Sequence, residues 1–233
     1  MRRESSTVIA LVGGVSRGLL AGLATSPNVA VVLAQPADRA SHLPQPGHPA
    51  QPVHLPAQPA SSGSSPEPPP PGWEHGALAM QEAARRRATY VAVPADPLAG
   101  VAAAWRAMWD VAAGPGAATR FEEAAVEALI AWRAKQFELP DYYLVIAPPE
   151  DTGTGPDLYL GPMRTARPHR VAVAVTAGPE DAAGAPGPAS AMTLLDTLRS
   201  LPHGPWWPPL DTLLDTARHF YAGGLAESQQ APV

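Results

Sequence analysis

Thr7 to Leu33 reads T-V-I-A-L-V-G-G-V-S-R-G-L-L-A-G-L-A-T-S-P-N-V-A-V-V-L. Val8–Val12 and Val29–Leu33 are two apolar runs, rich in β-branched residues and without the alternation of a half-solvated strand. Such runs are parallel strands covered on both faces. Between them, Gly13–Gly18 is too rich in glycine to prolong a strand, and Leu19, Leu20 and Leu23 form a narrow stripe near helical spacing. Asn28 stops the helix. The stretch predicts strand, turn, helix, strand, and its crossover has room for about three turns of helix.

Outward from this unit, residues 36–72 are almost all Pro, Ala, Gln, Ser, Gly and His. That composition buries too little apolar surface to offset the entropy of ordering, so the segment is expected to be a disordered, proline-rich linker. An insertion of this length is tolerated where the chain runs at the edge of a sheet. The sequence thus divides into a first β-α-β unit over 1–35, the linker, the remainder of the same domain over 73–225, and a flexible tail over 226–233.

Residues 75–87 suit a helix. Thr89–Pro97 reads as a strand followed by a helix start, with Asp96 as N-cap and Pro97 as first helical residue. Leu98, Val101, Trp105, Met108 and Trp109 fall on one helical face. Thr119 with Glu122 has the spacing of a capping box, and Phe121, Ala125, Leu129 and Trp132 follow at steps of three and four. Asp141–Pro149 and His169–Gly178 contain two further strands, separated by a short L-Y-L-G-P at 158–162. A second flexible loop is expected over 178–188. Helices are expected near 189–201 and 210–221, with P-H-G-P-W-W-P-P at 202–209 between them. Strands alternating with helices predict an α/β fold: a layered, Rossmann-like domain with a mostly parallel sheet and helices on both faces.

Composition narrows the function classes. The chain has 233 residues, 30 of them proline and 20 glycine, and a formal net charge of −5. A protein that neutralises many phosphates needs a large positive face, so no nucleic-acid partner is expected. The longest basic run, Arg85-Arg86-Arg87, suits a helix C-terminus. Cysteine is absent, which removes disulfides, thiolate metal sites and cysteine nucleophiles and fits the cytoplasm. Met1-Arg2-Arg3 before an apolar run has the outline of a secretory signal, but Arg17 interrupts that run and Ser26-Pro27-Asn28 ends the next. No stretch approaches the roughly 20 apolar residues of a membrane span, so no membrane partner is expected.

The turn at Gly13–Gly18 carries three readings. As a phosphate site, a helix N-terminus after a first strand offers free amides and partial positive charge; Gly13, Gly14 and Gly18 allow close approach, and Ser16 and Arg17 add donors. The segment resembles the opening turn of short-chain dehydrogenases, T-G-x-x-x-G-x-G. Gly14, Ser16, Arg17 and Gly18 match in type and spacing, while Gly13 replaces the threonine and Leu20 the last glycine. The likeness covers one strand and one helix. That family's Tyr-x-x-x-Lys pair is missing, since the only lysine is Lys135 and Ala131 lies four residues before it.

As a hydrolase site, Gly14-Val15-Ser16-Arg17-Gly18 fits G-x-S-x-G, the pattern that presents a serine on a strained turn. Asp141, Asp151 or Asp157 with His169, His203 or His219 would keep the order serine, acid, histidine. The Gly-Gly and Arg-Gly elements resemble the glycine-rich oxyanion loop of patatin-type lipases, whose separate serine motif has no counterpart here. The third reading is structural: a tight turn needs glycine, and serine caps helices.

Elsewhere, Asp151, Thr152 and Asp157 lie on a loop after a strand, where open α/β sheets place ligands. Trp206 and Trp207 stand between prolines and form a candidate partner contact. The histidines lack metal-ligand spacing, so no metal site is expected, and no cofactor is specified. The functional expectation is a non-catalytic or degenerate binding module, with a phosphate or nucleotide at Gly13–Gly18. An enzyme using the G-V-S-R-G turn, and a scaffold acting through the proline tract and Trp206–Trp207, are the alternatives.

Overall fold

A computed structural model describes residues 6–33, 73–110, 114, 116–147, 157–175 and 188–230. Five strands, β1 (Thr7–Gly13), β2 (Val29–Val31), β3 (Tyr90–Val93), β4 (Tyr142–Ala147) and β5 (Val171–Val175), form one all-parallel sheet in the order β2-β3-β1-β4-β5. The helices are α1 (Arg17–Ala24), α2 (Trp73–Ala83), α3 (Ala99–Met108), α4 (Ala117–Arg133), α5 (Arg164–Ala166), α6 (Pro188–Arg199) and α7 (Leu210–Gln230). A π-helical turn, Tyr159–Met163, runs directly into α5.

Two apolar clusters flank the sheet. Ile9, Leu11, Leu144 and Ile146 meet Leu19 and Leu23 of α1 and Leu194 and Leu198 of α6. Val8, Ala10, Val12, Val91, Val93 and Tyr143 meet α2, α3, α4, the π turn and α7. The alternation along β1 therefore divides two interiors rather than core from solvent, as the unbroken apolar run predicts.

The expected α/β layering is present, but the strand order differs from the doubly wound 3-2-1-4-5. The second strand lies at the edge, and β3 sits between it and β1. The linker 36–72 follows that edge strand and lies outside the described residues, as does most of the second loop at 178–188. Of the expected tail, residues up to Gln230 belong to α7.

Two local expectations are corrected. α3 begins at Ala99 rather than Pro97, and Leu98 at its start has no side-chain cap; the buried Asp96 carboxylate takes Leu98 N–H together with two phenols, and its carbonyl accepts from Ala99 N–H at 3.1 Å. α4 begins at Ala117 after Gly116, also without a side-chain cap. Glu122 takes no part in a capping box, since both its oxygens accept from Arg218, at 2.6 and 2.9 Å. The L-Y-L-G-P stretch lies in the π-helical turn, with Pro162 inside it.

Gly13 is where β1 leaves the sheet. Its φ is +91°, and a Cβ there would lie 2.4 Å from the Ile146 carbonyl oxygen. A Cβ on Gly14 would lie 3.6 Å from the same atom, an ordinary contact. Gly13→Ala is therefore expected to destabilise the fold by about 2 kcal/mol or more, from left-handed strain and backbone overlap together. Gly14→Ala should stay within about 1 kcal/mol. Urea unfolding of the two variants checks the contrast.

Candidate functional site

Open parallel sheets bind ligands beyond the C-terminal ends of their strands, where neighbouring strands send their connections to opposite sides. Here β1 and β4 are such neighbours. β1 continues into α1 on one face toward β2, and β4 continues on the other face through the π turn toward β5. Gly13–Gly18 is the outgoing turn of β1 at this point.

The turn is open. Gly13, Gly14 and Arg17 are exposed, and Val15, Ser16 and Gly18 are half-buried. Part of its hydrogen-bonding capacity is already committed. Gly14 N–H donates to Ile146 O at 2.9 Å, and Val15 N–H to Gly13 O at 2.8 Å. Ser16 is the N-cap of α1, its Oγ accepting from Leu19 N–H at 3.2 Å. The N–H groups of Arg17 and Gly18, the first two of the helix, have no intrahelical acceptor. The Arg17 side chain makes no ion pair among the described residues.

Gly13–Gly18 also keeps the glycine spacing of the G-x-x-x-x-G-K-[ST] phosphate loop. Leu19 and Leu20 stand where that loop has its lysine and hydroxyl, and Leu19 is buried in the core. The turn thus lacks both the ammonium that reaches terminal phosphates and the hydroxyl that holds magnesium.

The serine-hydrolase constellation is not assembled. Asp141 lies at the opposite end of the sheet, where its carboxylate accepts from Val8 N–H at 2.7 Å. His169 precedes β5 at that same end, with Nε2 2.8 Å from Pro205 O. His203 lies in the segment 201–209 that is tied there by Tyr142 and Arg170. His219 is on α7, on the face away from α1. Asp157 Oδ1 caps the π turn, accepting from Tyr159 and Leu160 N–H at 2.8 and 3.0 Å, and Oδ2 lies 3.5 Å from Arg106. Asp151 and Thr152 lie outside the described residues. Among those described, no group of His, Asp and Glu could hold a metal ion, and no helix is long and apolar enough to cross a membrane.

The two tryptophans part company. Trp207 is core: it packs on Tyr143 with ring centroids 5.7 Å apart, and its Nε1–H donates to Pro140 O at 2.7 Å. It is therefore withdrawn from any partner surface. Trp206 is 52% exposed and lies against the Arg170 guanidinium, which is held between it and Tyr142, 4.9 Å from each ring.

A third group was not legible as a site. Asp96, only 6% exposed, follows β3 on the same rim as the turn. Its carboxylate accepts from Tyr143 Oη at 2.8 Å and Tyr159 Oη at 2.5 Å. Burial pushes the Asp96 carboxyl above its ordinary value, and the donors from Tyr159, Leu98 and Tyr143 pull it partly back. Burial and the neighbouring carboxylate hold both phenols well above their usual range, so they remain donors. With its oxygens committed, Asp96 closes the rim beyond β3. The sequence signals were an aspartate before proline, which reads as a cap, and two tyrosines within apolar stretches.

Comparison with known proteins finds no match to a protein-family model, a curated protein or a solved structure.

Because the folded Asp96 carboxyl titrates above its unfolded value of 3.8, the folded state keeps this proton to higher pH than the unfolded chain. Its stabilising contribution is complete below that value and is lost as pH rises through the raised one. As pH rises above about 4, wild-type unfolding free energy is expected to fall relative to Asp96→Asn. Tyr159→Phe, which leaves the acid short of a donor, is expected to cost about 1–3 kcal/mol. Denaturant titrations across pH measure both.

Proposed function

We propose that this chain is a non-catalytic binding module for a small phosphate-bearing anion, a nucleotide included, held at the Gly13–Gly18 turn. The observation that carries the reading is the turn's position. It is solvent-open, it leaves the central strand where the connections of β1 and β4 diverge, and it leads into α1 with two uncommitted amides and an exposed Arg17. Amides at a helix N-terminus and one arginine suit an anion.

The non-catalytic half of the reading rests on what stands beside the turn. Ser16 caps α1 and has no histidine or free acid beside it among the described residues. Leu19 and Leu20 supply no group for terminal-phosphate or magnesium chemistry. The acid nearest in kind, Asp96, is occupied by two phenols.

The partner-contact reading retains one exposed group, Trp206. Its exposure would suit an aromatic anchor, but it stands alone, since Trp207 is core.

A thermal-shift screen with inorganic phosphate, nucleoside mono-, di- and triphosphates and nicotinamide dinucleotides tests the proposal. A bound compound at a hundredfold excess over its Kd stabilises by about 2.7 kcal/mol, which raises Tm by several degrees. Gly14→Asp should abolish the shift while leaving the unliganded Tm near wild type, because a Cβ at Gly14 has room and the carboxylate repels the anion. Arg17→Glu should weaken it. Absence of any shift, or a shift unchanged in both variants, would overturn the assignment.

A further inference from the structure

β5 is an edge strand, and its outward groups have a definite phase. Tyr143 N–H donates to Arg170 O at 2.9 Å, and Tyr143 stands opposite Val171. In a parallel ladder this means that Arg170, Ala172 and Ala174 bond to β4, while the N–H and C=O groups of Val171, Val173 and Val175 point away from it. Among the described residues these outward groups have no partner.

Natural proteins blunt such edges with charges, proline, bulges or short strands. The other edge does so. β2 is three residues long, and its outward Val29 N–H is taken by Ser26 O at 3.4 Å. β5 uses none of these devices: it reads V-A-V-A-V, five residues without a charge or a proline.

We propose that β5 is a self-pairing edge, at which a second copy of this chain adds its own β5 antiparallel about a two-fold axis through Val173. The sequence is a palindrome, so this register sets Val173 opposite Val173, Val171 opposite Val175 and Ala172 opposite Ala174. The residues with outward groups are the ones that face each other in the hydrogen-bonded pairs of that ladder, where each pair exchanges both N–H···O bonds. Every outward donor therefore meets an acceptor. No charged side chain lies within the strand to oppose the pairing. The two-fold closes the assembly at a dimer, whereas head-to-tail addition of β5 to the β2 edge of another copy would leave a free edge at each end. A strand pair this short buries less than the roughly 1,000 Å² of a stable interface. The dimer is accordingly reversible, with α6, which lies against β5, completing the contact.

The absence of cysteine makes the geometry testable. In the proposed dimer Val173 faces its own copy with Cα atoms about 5.5 Å apart, within disulfide range. Sedimentation equilibrium of the full chain is expected to show monomer and dimer in concentration-dependent exchange. Under mild oxidation Val173→Cys should become a covalent dimer. Val171→Cys, displaced from its own copy along the strand, and Ile130→Cys, exposed on α4 at the other face of the sheet, should not. Val173→Pro removes an outward N–H without breaking a bond to β4 and should shift the equilibrium to monomer. A wild-type chain that stays monomeric at every concentration overturns the proposal. So does a dimer that Val173→Cys fails to cross-link, or that a folded Val173→Pro leaves intact.

Discussion

β1 is hydrogen-bonded along both edges and buried on both faces, and the rest of the molecule is arranged around that burial. A strand with no solvent side must be apolar at every position, as Val8 to Val12 are. Each of its faces then needs a layer of helices, because a single layer would leave Ile9 and Leu11, or Val8, Ala10 and Val12, against water. The same pairing decides how the chain leaves the sheet. The carbonyl of Ile146 occupies the space a Cβ on Gly13 would need, so the exit requires glycine. The turn that follows is thereby delivered to the rim of the sheet.

Much of this was legible because the signals were strong and local. Unbroken β-branched runs name buried parallel strands, and Leu98, Val101 and Trp105 are spaced as a core stripe and are buried as one. The strand order was not legible. Nothing within Val29–Val31 states that β3 will lie between it and β1, because that depends on which crossover packs better over distance. The two helix starts differ from expectation in opposite directions. α3 starts at Ala99, after Pro97, and the Asp96 carboxylate ahead of it is drawn into the core by two phenols from far along the chain. α4 starts at Ala117, before Thr119, so Glu122 lies within the helix and is free to take the Arg218 fork. The π turn was hidden because Pro162 and Gly161 usually interrupt helices.

The candidate site was legible in place more than in chemistry. The glycines marked the turn, and the turn lies where sheet topology favours a ligand. The catalytic alternative drew on residue types in the right chain order, and order does not record which end of a strand a residue occupies. Asp141 and His169 precede their strands, whereas Ser16 follows its own. A parallel sheet therefore sets them at opposite rims. Trp207 was ambiguous because the indole of a surface contact and that of a core plug read alike. The deciding feature, the Pro140 carbonyl that takes its N–H, lies 67 residues away.

The two rims differ in consequence. The end of the sheet where the strands begin is closed by polar contacts to backbone: Asp141 binds Val8, Arg170 binds the carbonyls of Asp141, Gly204 and Pro205, and Trp207 fills the space beneath. The other rim is closed beyond β3 by Asp96 and is open at β1. Among the described residues, the uncommitted amides of the proposed site are therefore offered at one rim only. The β5 edge is separated from that turn by β4. In the antiparallel dimer the two open rims point in opposite directions, so each keeps its own access to solvent. The proposed ligand site and the proposed strand pairing draw on different backbone groups. Between Gly14 and the β5 ladder lie β4, whose Ile146 carbonyl holds the turn in place, and α6, which packs on both α1 and β5.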